Sequence, residues 1–175
     1  MIVIFGGTGE IGYALVEKYS EMNKQVCIIS RCEHKQRQMA MEFPKLKFIL
    51  GDIRDHHWKY MVNPSLVYNL AGMNDPVFAN GNPEFCYDVN VNGVINTMNW
   101  ALESHCRYIY TSKILSPTSI LGASKTMAEK LVLFKGGAVF RLGDFMDGIE
   151  AASYIMNNLS KRGLYTNNIR EVPNE

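Results

Sequence analysis

The chain has 175 residues, of which 47% are hydrophobic and 20% charged, a composition typical of one globular domain with a sizeable core. Its formal net charge of +1 gives no electrostatic reason to expect nucleic acid or an anionic membrane as a partner. The four cysteines form no C-x-x-C pair and stand at no zinc-ligand spacing from the four histidines, which predicts no metal site and a reducing compartment. No apolar run approaches transmembrane length, so we expect a soluble, cytoplasmic protein.

The start of the chain predicts a strand, a glycine turn and a helix. Ile2–Phe5 is an apolar, mostly β-branched run that fits a buried strand. The residues that follow are Gly6, Gly7, Thr8, Gly9, Glu10, Ile11 and Gly12, which contain both G-x-G-x-x-G and G-x-x-G-x-x-G. Such glycines allow a sharp turn, a close approach of backbone N–H groups to a pyrophosphate, and close packing of helix on sheet. The context predicts a dinucleotide site, although many glycine turns bind nothing.

Strands and helices alternate along the rest of the chain. Strands are predicted at residues 25–30, 46–50, 66–70, 108–111 and 138–142, and helices at 33–42, 56–62, 82–104, 120–134 and 147–159, with a loop over 71–81. This alternation predicts a parallel sheet covered by helices on both faces. With the glycine turn after the first strand, the fold class is α/β, a Rossmann-type doubly wound sheet of order 3-2-1-4-5-6. We expect residues 1–162 to form a single NAD(P)-binding domain and residues 163–175 a polar tail.

The end of the second strand bears on the choice of cofactor. An NAD site normally has an acidic residue there, whereas this strand ends in Ser30 and Arg31, which suit the 2′-phosphate of NADP. Lys35 would add positive charge. Alternatively, Arg31 and Lys35 are merely solvated and Glu33 binds a ribose. NADP is the favoured cofactor, and NAD is the second choice. Asp52 either lies beside the adenine amine or caps a turn.

Several motifs together resemble a known family. They are Gly6-Gly7-Thr8-Gly9 with Gly12, Ile29-Ser30-Arg31 with Lys35-Gln36, Met41-Glu42-Phe43-Pro44, Gly51-Asp52-Ile53-Arg54-Asp55, Asn69-Leu70-Ala71-Gly72, Asn90 with Gly93, Gly122-Ala123-Ser124-Lys125, and Arg141. In this order they resemble the extended short-chain dehydrogenase/reductase superfamily, in its branch of nucleotide-sugar epimerases and dehydratases. The nearest likeness is to the UDP-N-acetylglucosamine 4,6-dehydratases of polysaccharide biosynthesis.

The resemblance implies roles for individual residues and a nucleotide-sugar substrate. Asp52 and Ile53 would border the adenine, Leu70, Ala71, Gly72 and Asn90 would line the cofactor, and Lys125 would hydrogen-bond the nicotinamide ribose. Thr111 and Lys113, after the fifth strand, join Lys125 as candidate catalytic residues. The resemblance also implies a homodimer in which helices 82–104 and 120–134 pack against their copies.

Two departures from the family pattern concern catalysis. The family works through a Tyr-x-x-x-Lys pair in which the tyrosine is the general base, but Leu121 stands four residues before Lys125. The dehydratases also have Thr-Asp-Lys after the fifth strand, where this chain has Thr111-Ser112-Lys113. We further expect most of the nucleotide-sugar pocket to be missing after Arg141. The hypotheses are an epimerase/dehydratase with atypical chemistry or completed by another chain, a non-catalytic NADP(H)-binding sensor or regulatory module, and a fold with an empty site.

Overall fold

The computed structural model describes residues 1–113, 115–143, 146–160 and 163–166. The described strands form one sheet of seven, and every neighbouring pair is parallel. The strands are β1 (Ile2–Phe5), β2 (Val26–Ser30), β3 (Lys47–Leu50), β4 (Leu66–Asn69), β5 (Arg107–Lys113), β6 (Ala138–Leu142) and β7 (Gly163–Thr166). Their order is β3-β2-β1-β4-β5-β6-β7, so the predicted doubly wound sheet and its order are confirmed. Among the described residues, no helix is long and apolar enough to cross a bilayer.

The seventh strand was not predicted. Gly163–Thr166 pairs in parallel with the first four residues of β6. These residues were predicted to belong to the polar tail. The pairing satisfies backbone groups along the β6 edge, which is a non-local cause that composition does not reveal. Residues 167–175 of the predicted tail lie outside the described residues.

The helices lie on both faces of the sheet. They are α1 (Glu10–Glu21), α2 (Glu33–Glu42), α3 (Pro76–Gly81), α4 (Pro83–Tyr87), α5 (Gly93–Glu103), α6 (Ile120–Phe134) and α7 (Gly148–Asn157), with a 3₁₀ turn at His57–Tyr60 and a π-helical segment at Asp88–Asn92. The bounds of α2 and α6 are those predicted. The helix predicted over 82–104 is broken into α4, the π-helical segment and α5.

The loop predicted over residues 71–81 is wrong in its second half, where α3 lies. The Asp75 carboxylate accepts hydrogen bonds from the backbone N–H groups of Val77 and Phe78 at 2.9 and 3.0 Å. Pro76 occupies the first turn, where its missing N–H costs nothing. This strong cap stabilises a short helix in a stretch whose glycine and asparagine content had favoured a loop.

Two apolar layers enclose the sheet. Alternate strand residues pack against α1 and α7 on one face and against α5 and α6 on the other. In the second layer the rings of Phe5, Trp58 and Trp100 meet edge to face, with the two indole centroids 5.0 Å apart. The Trp58 indole N–H also donates to the backbone carbonyl of Asp52 at 2.8 Å. The core thereby fixes the loop after β3, which borders the site described next.

Candidate functional site

The glycine turn between β1 and α1 packs too tightly for a side chain at Gly6, Gly7 or Gly12. Gly6 has a φ of +75°, and a Cβ there would lie 2.8 Å from the backbone nitrogen of Ala71. A Cβ on Gly12 would lie 2.5 Å from the Cα of Gly7, and one on Gly7 would lie 2.8 Å from the Ile28 side chain. Glycine is therefore required for close packing of α1 on the turn and of the turn on the loop after β4.

A first cavity of about 740 Å³ opens at the carboxyl ends of β1, β2 and β4. This is the point where the strand order reverses, the usual ligand crevice of a doubly wound sheet. Its wall includes most of the predicted cofactor-binding residues: Gly6, Thr8, Gly9, Ser30, Arg31, Lys35, Asp52, Ile53, Leu70, Ala71 and Gly72. Cys32, Asn74 and Val89 also line it and were not singled out from the sequence, whereas Ile29 and Gly51, which line it too, were quoted in motifs without a role.

Ser30 is held at the cavity wall by Gln36. The Gln36 amide Nε2 donates to the Ser30 hydroxyl at 3.0 Å and to the carbonyls of Ser30 and Ile49 at 3.1 and 2.8 Å. Gln36 is 7% exposed, so these bonds tie the ends of β2 and β3 together within the protein. The Ser30 hydroxyl accepts in this arrangement and keeps its proton for donation.

Arg31 reaches over the cavity from the end of β2. Its side chain is 60% exposed, and its Nη1 lies 3.6 Å from the Asp52 carboxylate. Lys35, one turn into α2, lines the same cavity. The rim of the first cavity therefore carries two positive side chains, Arg31 and Lys35, of which Arg31 is loosely paired with Asp52.

Asp52 is held mainly by Arg54, which the sequence analysis quoted in a motif without giving it a role. Arg54 donates to the Asp52 carboxylate from its backbone N–H and Nε at 3.0 Å and from Nη2 at 2.9 Å. Burial alone would raise the pKa of Asp52, but the hydrogen bonds and charge of Arg54 outweigh it, and the pKa lies below its usual value. Arg54 also pairs with Asp88 at 3.0 Å and lies over the Phe85 ring. Asp52 is therefore an ionised acceptor in a fixed position.

A second cavity of about 280 Å³ adjoins the first, and Leu70 and Asn74 line both. It lies at the carboxyl ends of β5 and β6. Its wall includes five further residues that were predicted as cofactor-binding or catalytic: Glu10, Ile11, Thr111, Lys113 and Lys125. Ser112, Leu142, Gly143, Met146 and Ala151 complete this wall. Glu10 and Ile11, which were predicted to bind the dinucleotide as part of the glycine turn, thus line the second cavity.

Lys125 projects from α6 and is only 5% exposed. Its Nζ lies 6.0 Å from the centre of the Tyr110 ring and so close to Gly72 that a Cβ there would be 2.7 Å away. Burial is the main reason that the pKa of Lys125 falls to about 8, and the charge of Lys113 lowers it further. Among the described residues, no hydrogen bond or ion pair joins its Nζ to a carboxylate, because Glu129, one turn along α6, is held by Arg141 Nε at 2.9 Å to each oxygen.

Leu121, at the position of the family's tyrosine, does not line the second cavity. It is 1% exposed and packs with Ala79 and Cys86 in a small apolar cluster beneath α3. Ser112, at the position of the dehydratase aspartate, does line the cavity, and its buried Oγ has no hydrogen-bond partner in the part of the chain that the structure describes. The side chains that a family-type oxidation would use are therefore replaced by an apolar contact and a hydroxyl.

Three predicted cofactor-binding residues, Gly7, Gly12 and Asn90, lie behind the walls of the two cavities and do not line them. Gly7 and Gly12 contact each other within the turn. Asn90, in the π-helical segment, accepts from the Met73 backbone N–H at 2.8 Å and donates to the Ser124 hydroxyl at 3.0 Å. It thus connects the loop after β4 to α6, and so connects the walls of the two cavities.

The chain is similar in sequence to proteins of a known family. The family described as "Polysaccharide biosynthesis protein" matches residues 2–139. The chain belongs to this family. Its curated relatives include the UDP-N-acetylglucosamine 4,6-dehydratase (inverting) of Campylobacter jejuni, 32% identical over 139 residues, which are 74% of this chain and 42% of that protein. The UDP-glucose 4-epimerase of Rickettsia canadensis is 27% identical over 186 residues, covering 97% of this chain and 53% of that protein.

The chain therefore spans about half the length of these curated relatives. Among solved structures, Pen from Bacillus thuringiensis aligns with 94% of this chain and 61% of its own, with a TM-score of 0.78 and 24% identity. The enzyme WbmG of Bordetella bronchiseptica, solved with NAD and UDP, aligns with 81% of this chain and 52% of its own, with a TM-score of 0.71 and 21% identity. At these identities the structures show a shared fold. The family's Rossmann domain is thus present in this chain.

Proposed function

We propose that this family member binds NADP(H) in the first cavity and does not carry out the tyrosine-dependent sugar oxidation of the epimerases and dehydratases. Two observations together carry the proposal. The predicted polar cofactor-binding residues line the first cavity, whereas Leu121 is turned away from the second cavity and packs in an apolar cluster. The protein would then act as a sensor or regulatory module whose state follows its bound nucleotide.

The glycine turn supports dinucleotide binding. Gly6, Thr8 and Gly9 line the first cavity directly before α1, so the pyrophosphate would accept hydrogen bonds from backbone N–H groups at the helix N-terminus. Asp52, ionised and fixed by Arg54, would accept from the adenine side of the nucleotide. Several structural neighbours were solved with NAD bound, WbmG among them, which supports a nicotinamide dinucleotide as the ligand class.

The choice of NADP over NAD is supported by the end of β2. Arg31 keeps 60% of its side chain exposed despite Asp52, so its guanidinium is open to a 2′-phosphate, and Lys35 lines the same wall. The Ser30 hydroxyl retains a proton that it could donate to that phosphate. Loss of one charged contact to a phosphate typically costs about 1.5–3 kcal/mol, which is about 10- to 100-fold in affinity.

Isothermal titration with NADPH and NADH tests both parts of this proposal. We expect NADPH to bind more tightly than NADH, and Arg31→Ala to weaken NADPH about tenfold while leaving NADH almost unchanged. The matched control is Arg37→Ala, because Arg37 is an exposed arginine of α2 paired with Glu33. Equal affinity for the two nucleotides would refute the choice of NADP, and binding of neither would refute the proposal.

A second candidate function is a nucleotide-sugar epimerase or dehydratase completed by another chain. It is favoured by the presence of Lys125, Thr111 and Lys113 on one cavity. Incubation with NADP⁺ or NAD⁺ and UDP-glucose or UDP-N-acetylglucosamine, followed by NMR of the sugar, distinguishes the two. Turnover by this chain alone would overturn the non-catalytic proposal.

We also propose a homodimer through residues 82–104 and α6. Exposed apolar side chains on these segments, Tyr87, Leu102 and Met127, support an apolar contact there. Analytical ultracentrifugation tests it: a monomer at micromolar concentration refutes the dimer, and Met127→Glu should dissociate it.

A further inference from the structure

The second cavity contains chemistry beyond the contact of Lys125 with the cofactor that the family resemblance implies. Two lysines from different elements, Lys113 on β5 and Lys125 on α6, line it together with the hydroxyls of Thr111 and Ser112. Its volume of about 280 Å³ is below the ~300–1,000 Å³ typical of pockets for drug-sized ligands. A small ligand with negative charge fits this wall best.

The surroundings of Lys125 favour a nucleophilic amine. The residue is only 5% exposed, and its Nζ lies beside Gly72 and the Tyr110 ring. The nearest acid on its helix, Glu129, is held by Arg141. Burial and a neighbouring cation are the two devices that make lysine amines reactive. With a pKa of about 8, roughly one amine in ten is neutral at pH 7, against about one in several thousand for an ordinary lysine.

The Ser112 hydroxyl belongs to a residue in the wall of the second cavity. Its Oγ and the Tyr110 hydroxyl are both buried without a well-aligned hydrogen bond in the described ranges, although the two side chains interact with each other and buried hydroxyls are nearly always paired. Ser112 lies between Thr111 and Lys113 and faces the cavity. A ligand oxygen placed there would satisfy it.

We propose that the second cavity binds a small oxo acid, whose carbonyl carbon is attacked by the Nζ of Lys125 while its carboxylate lies near Lys113 and the Ser112 hydroxyl. The lone pair of the neutral amine forms the N–C bond of a carbinolamine as the C=O π bond opens, and one N–H proton passes from the nitrogen to the carbonyl oxygen. The second N–H proton then reaches that oxygen, the C–O bond breaks as the C=N bond forms, and water leaves. The net step converts amine and carbonyl into imine and water and needs no oxidant or reductant.

The charged groups around Lys125 are consistent with this step. Besides Lys113, its surroundings include the Cys86 thiol of α4 and Glu129 of α6, and Glu10 of α1 lines the same cavity. Glu10 is exposed, so water screens its repulsion of an anion. The inference goes beyond the proposed function: a dinucleotide would cover Lys125, so the imine forms in the nucleotide-free protein.

Trapping with borohydride tests the inference. The full chain is equilibrated with pyruvate at pH 7, sodium borohydride is added, and the modified lysines are located and quantified by peptide mass spectrometry. Lys130, an exposed lysine on the same helix, is the internal control. We expect Lys125 to be trapped at least about tenfold more than Lys130, as its larger neutral fraction requires.

Methyl pyruvate and two variants separate the parts of the proposal. Methyl pyruvate carries the same carbonyl without the charge, so the ratio of Lys125 to Lys130 labelling should fall severalfold. Lys113→Met should lower the ratio for pyruvate, and Lys113→Arg should restore it because the positive charge returns. Equal trapping of Lys125 and Lys130 by pyruvate overturns the proposal, and an undiminished ratio with methyl pyruvate overturns the assignment of an acid.

Discussion

The two adjoining cavities differ in how their polar side chains are paired. Around the first, Asp52 is fixed by Arg54, Arg31 leans toward Asp52, and Ser30 is held by Gln36. Around the second, and within the part of the chain that the structure describes, the Ser112 hydroxyl makes no well-aligned hydrogen bond and the Lys125 amine has no carboxylate at hydrogen-bond distance. Paired groups preorganise a site before a ligand arrives, whereas unpaired buried groups are costly unless a ligand satisfies them.

The largest effect is expected at the glycine turn, which supports the first cavity. In Gly12→Ala the new Cβ would lie 2.5 Å from the Cα of Gly7 and 2.7 Å from the Gly6 carbonyl oxygen, so α1 must move. We expect a loss of about 3 kcal/mol in the free energy of unfolding and of at least about 100-fold in NADPH affinity. Urea denaturation and titration measure these. Gly81→Ala is the control, since a Cβ there meets nothing within 4 Å; NADPH affinity unchanged in Gly12→Ala would contradict the prediction.

Next in size is the ion pair beneath the second cavity. Glu129 has a side chain only 4% exposed and accepts hydrogen bonds from both Nε and Nη2 of Arg141, whose side chain is 34% exposed. Glu129→Gln should destabilise the protein by about 2 kcal/mol, less than the ~3–5 kcal/mol typical when a fully buried pair is broken. Loss of this negative charge should also increase trapping of Lys125. A double variant with Arg141→Gln as destabilised as the sum of the single variants would show that the two residues act independently.

A smaller effect is expected from restoring the family's side chains. Leu121→Tyr with Ser112→Asp should produce no UDP-N-acetylglucosamine turnover, because Leu121 points into the cluster beneath α3. Overpacking there should cost about 1–3 kcal/mol, and the volume-conserving Leu121→Met less than about 1.5 kcal/mol. Sugar NMR and thermal unfolding provide the measurements. Detection of a 4-keto sugar from the double variant would contradict our account of the second cavity.

The smallest effect is a pH dependence at the first cavity. The pKa of Asp52 is lower in the folded protein than its usual value, so the ionised carboxylate stabilises the fold above the unfolded pKa of about 3.9. This contribution is lost as the pH falls through the folded pKa. The difference in unfolding free energy between wild type and Asp52→Asn should therefore be constant from pH 6 to 8 and shrink below about pH 4. A pH-independent difference in urea titrations would argue against the Arg54 contacts as its source.

Much of this architecture follows from local sequence signals. The bounds of α6 were predictable because Ser119 caps its first turn, accepting from the Gly122 N–H at 3.0 Å, and Gly136, with a φ of +81°, follows its end. The strand order followed from alternation and the handedness of crossovers. By contrast, β7 depends on the edge of β6, which is distant in the sequence. The signal for α3 was present in Asp75 and Pro76 but was outweighed by nearby glycine and asparagine.

The candidate site divides in the same way. The glycine turn, Arg31, Asp52 and Lys125 were predictable as cavity residues because motif and strand-end positions place them there. The roles of Arg54 and Gln36 were not, since their hydrogen bonds depend on the geometry of the loops that surround them. The sequence likewise showed that a tyrosine is absent at Leu121, but its burial beneath α3 is a property of tertiary packing.

The tryptophan pair in the core has a spectroscopic consequence. Trp58 and Trp100 are the two tryptophans of the chain, and their rings lie 5.0 Å apart in one buried cluster. Trp58 also donates to the carbonyl of Asp52, which borders the first cavity. Reduced nicotinamide absorbs light at the wavelengths that tryptophan emits. Binding of NADPH in the first cavity, as proposed, would therefore quench the intrinsic fluorescence, with no dye attached.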